Sequence, residues 1–593
     1  MYDKTLYHNA DIYTMDPRYR LASAMAVVGD RIIAVGTREE AEAALSGHYR
    51  VVDLQGLTVV PGFVDCHIHF LWYALGARRL NLDGVASIGD VVRMVAERAA
   101  QARPGEWILG HGWNRNLWPA ADVPTRAQLD AASPTHPVAL TSKDGHTMWV
   151  NSLALAAAGI GRSTPDPEGG RIERDARTGE PTGLLRENAQ ALVDGVIPAP
   201  GPDACEEAIA AAIPRMHEFG VVGIHDCEDD LAFRAFQDMA ARAELGLRVY
   251  MMIPRSNLDH AIGLGLQTGF GDTTLRIGPL KVFADGALGS QSAALLEPYV
   301  TNPESTGILT ASGDELVDVI SRASRAGIAV AVHAIGDRAN RMVLDAFESV
   351  ARQAPKGTVS HPTPESGSGS RSRSRTETAA RTTIQTWTGT RTGTAAEPGT
   401  VAGPADVAAA GMPHHAGLRH RIEHAQLVHP DDLPRFAALG IIASVQPVHA
   451  TSDRYIADLH WGRRSSLGYA YKSLAAAGVP LAFGSDAPVE APNPIQGIFA
   501  AVTRKRADEV VLPGWHTEEC LTVEEGVRGY TVGAAYASGE EAVKGSISPG
   551  KLADFVVLSQ NIFAIRPDEI IRTKVLATII GGDVVFDRIG IRA

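Results

Sequence analysis

Pro61-Gly62-Phe63-Val64-Asp65-Cys66-His67-Ile68-His69 is the segment with the strongest claim to chemistry. Side chains two apart on a strand point to the same side, so His67 and His69 share a face. Neutral imidazoles suit borderline divalent metals such as zinc. Two histidines satisfied by core hydrogen bonds are the plain alternative. The pair does not stand alone, however. His333 in IAVAVHAIGD, His424 in RIEHAQ and Asp486 in LAFGSDAPV each close an apolar run just before turn or helix signals. One such residue would usually pack or cap a helix; together they resemble a divalent metal site. Lys281 in GPLKVFADG lies in another apolar run. An interior lysine is costly unless it is paired or chemically altered. It could take up carbon dioxide to become a carbamate able to bridge two metals, or pair with Asp285. The residues by themselves favour the ion pair.

These residues need a scaffold that brings distant strand ends together. Apolar runs near 64–69, 220–226, 248–253, 280–285, 328–334, 421–425, 441–446 and 481–486 alternate with helix-patterned segments at 231–245, 313–326, 337–354, 430–439 and 494–504. Strand–helix alternation of this kind predicts an α/β fold, a (β/α)₈ TIM barrel whose chemistry sits at the C-terminal strand ends. No GxGxxG follows the first strand, which argues against a dinucleotide-binding sheet. Residues 1–60 and 540–593 read as short strands broken by Gly and Asp, and are expected to pair into a small β-sandwich bracketing a barrel at 61–539. Residues 80–215 carry helices and strands of their own, including 91–102 and 137–142, and form a large insertion after the first barrel strand. Residues 356–417 include SGSGSRSRSRTETAARTT, and Ser, Thr, Arg and Gly without apolar periodicity predict a disordered loop.

The chain has 593 residues, 45% of them hydrophobic and 21% charged, with a net charge of −13. That composition is globular. The acidic surplus argues against nucleic-acid or anionic-membrane partners, which require a basic footprint. No apolar run reaches the roughly 18 residues of a membrane helix. The opening MYDKTLYHNADIYTMD lacks the basic-then-apolar pattern of a secretion signal. Cys66, Cys205, Cys227 and Cys520 form neither a CxxC site nor a disulfide pattern. A cytoplasmic protein is expected.

Taken with GHGWNRNLWP, LTSKDGHTMWVNS, EPTGLLRENA, KVFADGALGSQSA, VHAIGDRAN, RIEHAQLV and GSDAPV, these residues resemble the amidohydrolase superfamily. The finer likeness is to its YtcJ-like branch, also called the amidohydrolase 3 family, which includes formamide-hydrolysing enzymes. The resemblance spans nearly the whole chain outside the low-complexity segment. It implies that His67, His69 and Asp486 hold a buried metal, that His333 and His424 hold a second, and that Lys281, as a carboxylated lysine, bridges them. One or two divalent ions, zinc first among them, are implied.

A water activated by the metal would then attack a carbon–nitrogen bond of amide or formamide type, with Asp486 as the proton shuttle. His146, Trp113, Asp285 and Arg338 are candidate substrate contacts, although core packing, a turn or helix pairing would account for each. An ammonia-releasing deaminase at the same site and a non-catalytic binding or regulatory relative are the alternatives. The partner is a small-molecule substrate, and a homodimer is expected.

Overall fold

The computed structural model describes residues 4–353 and 417–592, except 78, 83, 104, 114, 116, 117, 119–122, 143–146, 168, 169, 188 and 290. The low-complexity segment, apart from Gly417, and His146 therefore lie outside the described residues.

Eight parallel strands form the central sheet: β1 (Phe63–Ile68), β2 (Val221–Asp226), β3 (Arg248–Pro254), β4 (Leu275–Phe283), β5 (Val330–Ala334), β6 (Arg421–His424), β7 (Ile442–Val445) and β8 (Leu481–Phe483). Each hydrogen-bonds to its sequence neighbour, and every residue of β1, β2, β6 and β7 is buried. Near-continuous apolar runs are what a parallel sheet covered on both faces requires. The ring nearly closes where β8 returns to β1. Asp486 donates its backbone N–H to the carbonyl of His67 at 2.7 Å, and Ser485 donates to the Asp65 carboxylate at 3.0 Å. Gly484 permits this approach: a Cβ there would stand 2.5 Å from the His67 nitrogen. The barrel expected from the strand–helix alternation is present.

Two strand boundaries differ most from the sequence reading. The fourth strand begins at Leu275 rather than 280, because pairing of Leu275–Ile277 with Val249–Met251 carries it through Gly278-Pro279. The eighth ends at Phe483, three residues before Asp486, whose φ of +60° leaves the extended region.

Strands from the two ends of the chain share one seven-stranded sheet, ordered Asp583–Asp587, Val575–Ile580, Phe555–Leu558, Arg50–Pro61, Lys4–Tyr13, Leu21–Val28, Arg31–Gly36. Only Gly62 separates its Arg50–Pro61 strand from β1, so this sheet fixes the entry of the strand that carries His67. Arg248 at the start of β3 is locked to Asp554 of the terminal sheet, 2.6 Å apart and nearly buried. Between β1 and β2 a further six-stranded sheet runs in the order Gly170–Arg174, Pro181–Glu187, Thr147–Val150, Val138–Ser142, Ile108–Trp113, Leu80–Asn81. Its helix Ile88–Ala99 starts three residues earlier than periodicity suggested, because the Ser87 hydroxyl caps it by accepting from the Asp90 N–H at 3.1 Å. Among the described residues no helix is long and apolar enough to cross a membrane.

Candidate metal centre

His67 is the penultimate residue of β1, and His69 follows the strand as the first residue of the turn into helix Phe70–Gly76. The C-terminal strand ends bring the other candidates to them. His67 Nε2 and His69 Nε2 each stand 3.5 Å from Asp486 Oδ1. The His424 ring centroid lies 4.7 Å from that of His67 and 4.5 Å from that of His333. Nitrogen and oxygen atoms of His67, His424 and Asp486 all fall within 4.8 Å of one another, the separation that ligands of one ion require. Lys281 Nζ approaches His67 Nε2 at 3.3 Å. His333 Nε2 points at the Gly286 carbonyl, 3.2 Å away, while its ring borders the group.

The expected Lys281–Asp285 ion pair does not form. Strand β4 ends at Phe283, so the alternation that would have aligned the two side chains stops before Asp285. Its carboxylate instead accepts the backbone N–H groups of Ala294, Ile335 and Gly336, at 2.9, 3.0 and 2.8 Å. Asp285 therefore pins the loop after β4 to the turn after β5. Trp113 packs in the inserted sheet, stacked on Trp118, with its indole N–H bonded to the Leu140 carbonyl at 2.8 Å. Arg338 is exposed on the first turn of helix Asp337–Gln353. Trp113 and Arg338 do not join the histidine cluster, whereas Asp285 borders it, its Oδ1 3.6 Å from His333 Nε2.

The electrostatics prepare neutral imidazoles. Burial, reinforced by Lys281, lowers the pKa of His67 to about 4 and that of His333 to about 3. Burial and the neighbouring His333 hold His424 well below the usual histidine range. For Asp486 burial alone would raise the carboxyl. Contacts with His69, His67 and His424 outweigh it and hold Asp486 well below the carboxylate range, hence ionised.

Two further residues, Glu423 and Gln446, orient these rings. Glu423 Oε2 lies 2.6 Å from His67 Nδ1, and its Oε1 lies 2.5 Å from Arg421 Nε, with all three side chains buried. Arg421 and His67 overcome the burial of Glu423 and keep it ionised. An ionised carboxylate only accepts, so His67 carries its proton on Nδ1 and presents a lone pair at Nε2. Gln446 is the counterpart on β7's end: its Oε1 accepts from His424 Nδ1 at 2.8 Å, which also frees Nε2. His225, the penultimate residue of β2, accepts from Arg421 Nη1 at 2.9 Å and so serves the same buttress.

His449 was missed altogether. It sits just past β7 in VQPVHA, its ring stacked on His424 at 6.2 Å, with Nδ1 3.3 Å from the Gln426 amide. Its buried Nε2 has no hydrogen-bond partner and lies 3.9 Å from Asp486 Oδ2. The only sequence signal was position, a histidine three residues beyond a strand-end glutamine.

This donor set fits a divalent ion. It offers neutral nitrogens with fixed lone pairs, an ionised carboxylate, and an orphaned buried nitrogen at its edge, arrangements that are costly without a ligand.

Comparison with known proteins agrees with this architecture. The sequence profile of a family described as "Amidohydrolase family" matches residues 50–387 and 391–586. The putative amidohydrolase YtcJ of Bacillus subtilis is 32% identical over 596 residues, covering 99% of this chain and all of the relative. N-substituted formamide deformylase of Arthrobacter pascens is 28% identical and covers 98% of both chains. The crystal structure of an uncharacterized metal-dependent hydrolase from Pyrococcus furiosus superposes with a TM-score of 0.71 at 26% identity, covering 94% of this chain and 100% of that one. A profile match across most of the chain, over a barrel with imidazoles and a carboxylate gathered at its strand ends, places this protein in the amidohydrolase family.

Proposed function

We propose that the protein hydrolyses a carbon–nitrogen bond of amide or formamide type in a small organic molecule, using one or two divalent ions, zinc foremost. The observation that carries this is the convergence of His67, His424 and ionised Asp486 on one point of a barrel rim. The relative that deformylates N-substituted formamides supports the choice of bond.

His67, His69 and Asp486 would hold one ion, and His333 and His424 a second. Lys281, as its carbamate, would join the two. Carboxylation suits Lys281 because its Nζ contacts a ligand imidazole and no carboxylate is within ion-pairing distance among the described residues. A bound divalent ion supplies Lewis acidity to water and to the scissile carbonyl.

The chain's own groups do the rest. Asp486, anionic and at the centre, takes the proton of the attacking water and returns it to the departing nitrogen. Glu423 and Gln446 hold the two buried rings in register. His449 offers Nε2 to the carbonyl oxygen or the leaving group, since no hydrogen bond in the described structure engages it.

Elemental analysis of protein purified without chelator should find one or two divalent ions per chain. Chelation should abolish amide or formamide turnover, and zinc with bicarbonate should restore it. Essentially no metal after that incubation would overturn the reading. His449→Phe keeps the ring against His424 but removes the nitrogen. It should lower kcat/KM by about 10²-fold, as loss of one polar contact to developing charge does, with metal content unchanged. Near-normal kinetics would remove His449 from the mechanism.

A further inference from the structure

A cavity of about 620 Å³ opens beside the metal centre, with His69 and Lys281 in its wall. Much of the remaining lining is apolar: Trp72, Phe283, Leu75 and Leu231 face it. The two aromatic rings begin where the candidate ligands end. Trp72 stands 5.8 Å from the His69 ring, and Phe283 5.1 Å from the His333 ring with Lys281 Nζ 4.9 Å from its centroid. Trp72 is 51% exposed and Phe283 46% exposed, so two large apolar surfaces meet solvent inside a concavity next to reactive groups. Such surfaces mark binding sites rather than ordinary protein surface.

Apart from Lys281, whose Nζ stands against His67 at the metal centre, the charged groups of this wall already have partners. Glu228 accepts the N–H groups of Leu71 and Trp72 at 2.5 and 2.7 Å. Asp229 caps helix Asp230–Ala241 by accepting from Leu231 N–H at 3.1 Å. Arg255 pairs with Glu315 at 3.7 Å. The Glu228 bonds also have a positional effect: with Asp226, which accepts from Phe70 N–H at 2.9 Å, they pin the first turn of helix Phe70–Gly76 and so fix the backbone that carries Trp72. Apart from Lys281, which the proposed function commits to the metals as its carbamate, an ionised substituent would find no uncommitted counter-charge here, whereas a flat apolar one would find two held rings. Size allows it too, since a void of about 150 Å³ accommodates a benzene ring.

We propose that this cavity receives an uncharged, ring-sized apolar substituent of the substrate, with Trp72 and Phe283 as its specificity-determining walls. The inference rests on the carbon–nitrogen hydrolysis reading for the reaction, but the cavity's preference is testable without it.

The test uses two series. One comprises N-methyl-, N-butyl-, N-benzyl- and N-carboxymethylformamide; the other comprises acetamide, butyramide and phenylacetamide, with the ring on the acyl side. In at least one series kcat/KM should rise tenfold or more from the smallest member to the ring-bearing one, and the carboxymethyl compound should be the poorest formamide. Trp72→Ala and Phe283→Ala should each cut the ring-to-small ratio at least fivefold; both side chains are half-exposed, so truncation spares the core. In parallel, binding of N-benzylformamide and phenylacetamide to metal-stripped protein is followed by saturation-transfer NMR, where at least one should bind and either substitution should weaken it several-fold. Hydrolysis with no size preference in either series would overturn the pocket assignment and leave the reaction standing. Binding that both substitutions weaken, with no hydrolysis of any compound by metal-loaded protein, would uphold the pocket and overturn the reaction. Absence of binding and of size preference would overturn the pocket.

Discussion

Asp486→Asn is expected to lower turnover by about 10³-fold, within the range that a positioned proton-transfer group contributes, while leaving the fold intact. The residue has a φ of +60°, a left-handed conformation that Asp and Asn both tolerate, so the exchange adds no backbone strain. The backbone N–H that ties β8 to β1 through His67 is also unaffected. What disappears is the negative charge that His67, His69 and His424 stabilise, and with it the ability to accept and return a proton. Amine release, metal content and thermal unfolding should be measured on the same preparation. Lost turnover with metal and Tm near wild type is the expected result. Near-normal turnover would refute the proton-carrying role, and loss of the metal together with turnover would leave Asp486 as a ligand only.

Glu423→Ala is expected to act first on stability. Arg421 and Glu423 are fully buried, and removing the carboxylate strands a guanidinium whose remaining contacts are His225 Nδ1 and the Met252 sulfur. Breaking a buried pair by deleting one partner costs about 3–5 kcal/mol. The same change unties His67 Nδ1, so its ring loses the fixed tautomer, and metal affinity should fall by about 10–100-fold, as it does when such outer partners are removed. Denaturant unfolding of metal-stripped protein isolates the first effect, and metal titration under native conditions isolates the second. Unchanged unfolding would show that Arg421 finds another partner. Unchanged metal affinity would show that His67 does not need Glu423 to present Nε2.

Much of this architecture is legible in the sequence for a simple reason. A parallel barrel buries its strands on both faces, so each strand is a nearly unbroken apolar run, and a polar residue at the end of one stands out. His67, His333, His424 and Asp486 were found that way, and the profile match and the superposition agree with the barrel that the pattern implied. Local rules misled where they were carried past a strand end. Lys281 and Asp285 share a face only if the strand continues, and it stops at Phe283. Glu423 was overlooked because strict alternation sets it on the opposite side from His424. The φ of +70° at His424 breaks that alternation, so Glu423 reaches the His67 ring while His424 packs against the same ring. Trp113 illustrates the reverse case: it lies in a conspicuous motif, yet its indole is occupied by packing and a carbonyl within the inserted sheet.

By itself the sequence determined the barrel, the order of its strands and the identity of the residues at their ends, because hydrophobic periodicity and residue chemistry are local properties. Only the tertiary structure decided which nitrogen of each histidine faces the centre, which charges hold those rings, and where an apolar cavity adjoins them. Those features depend on contacts such as that between His67 and Glu423, 356 residues apart in the chain. No local rule encodes them; they exist only once the ring of strands has closed.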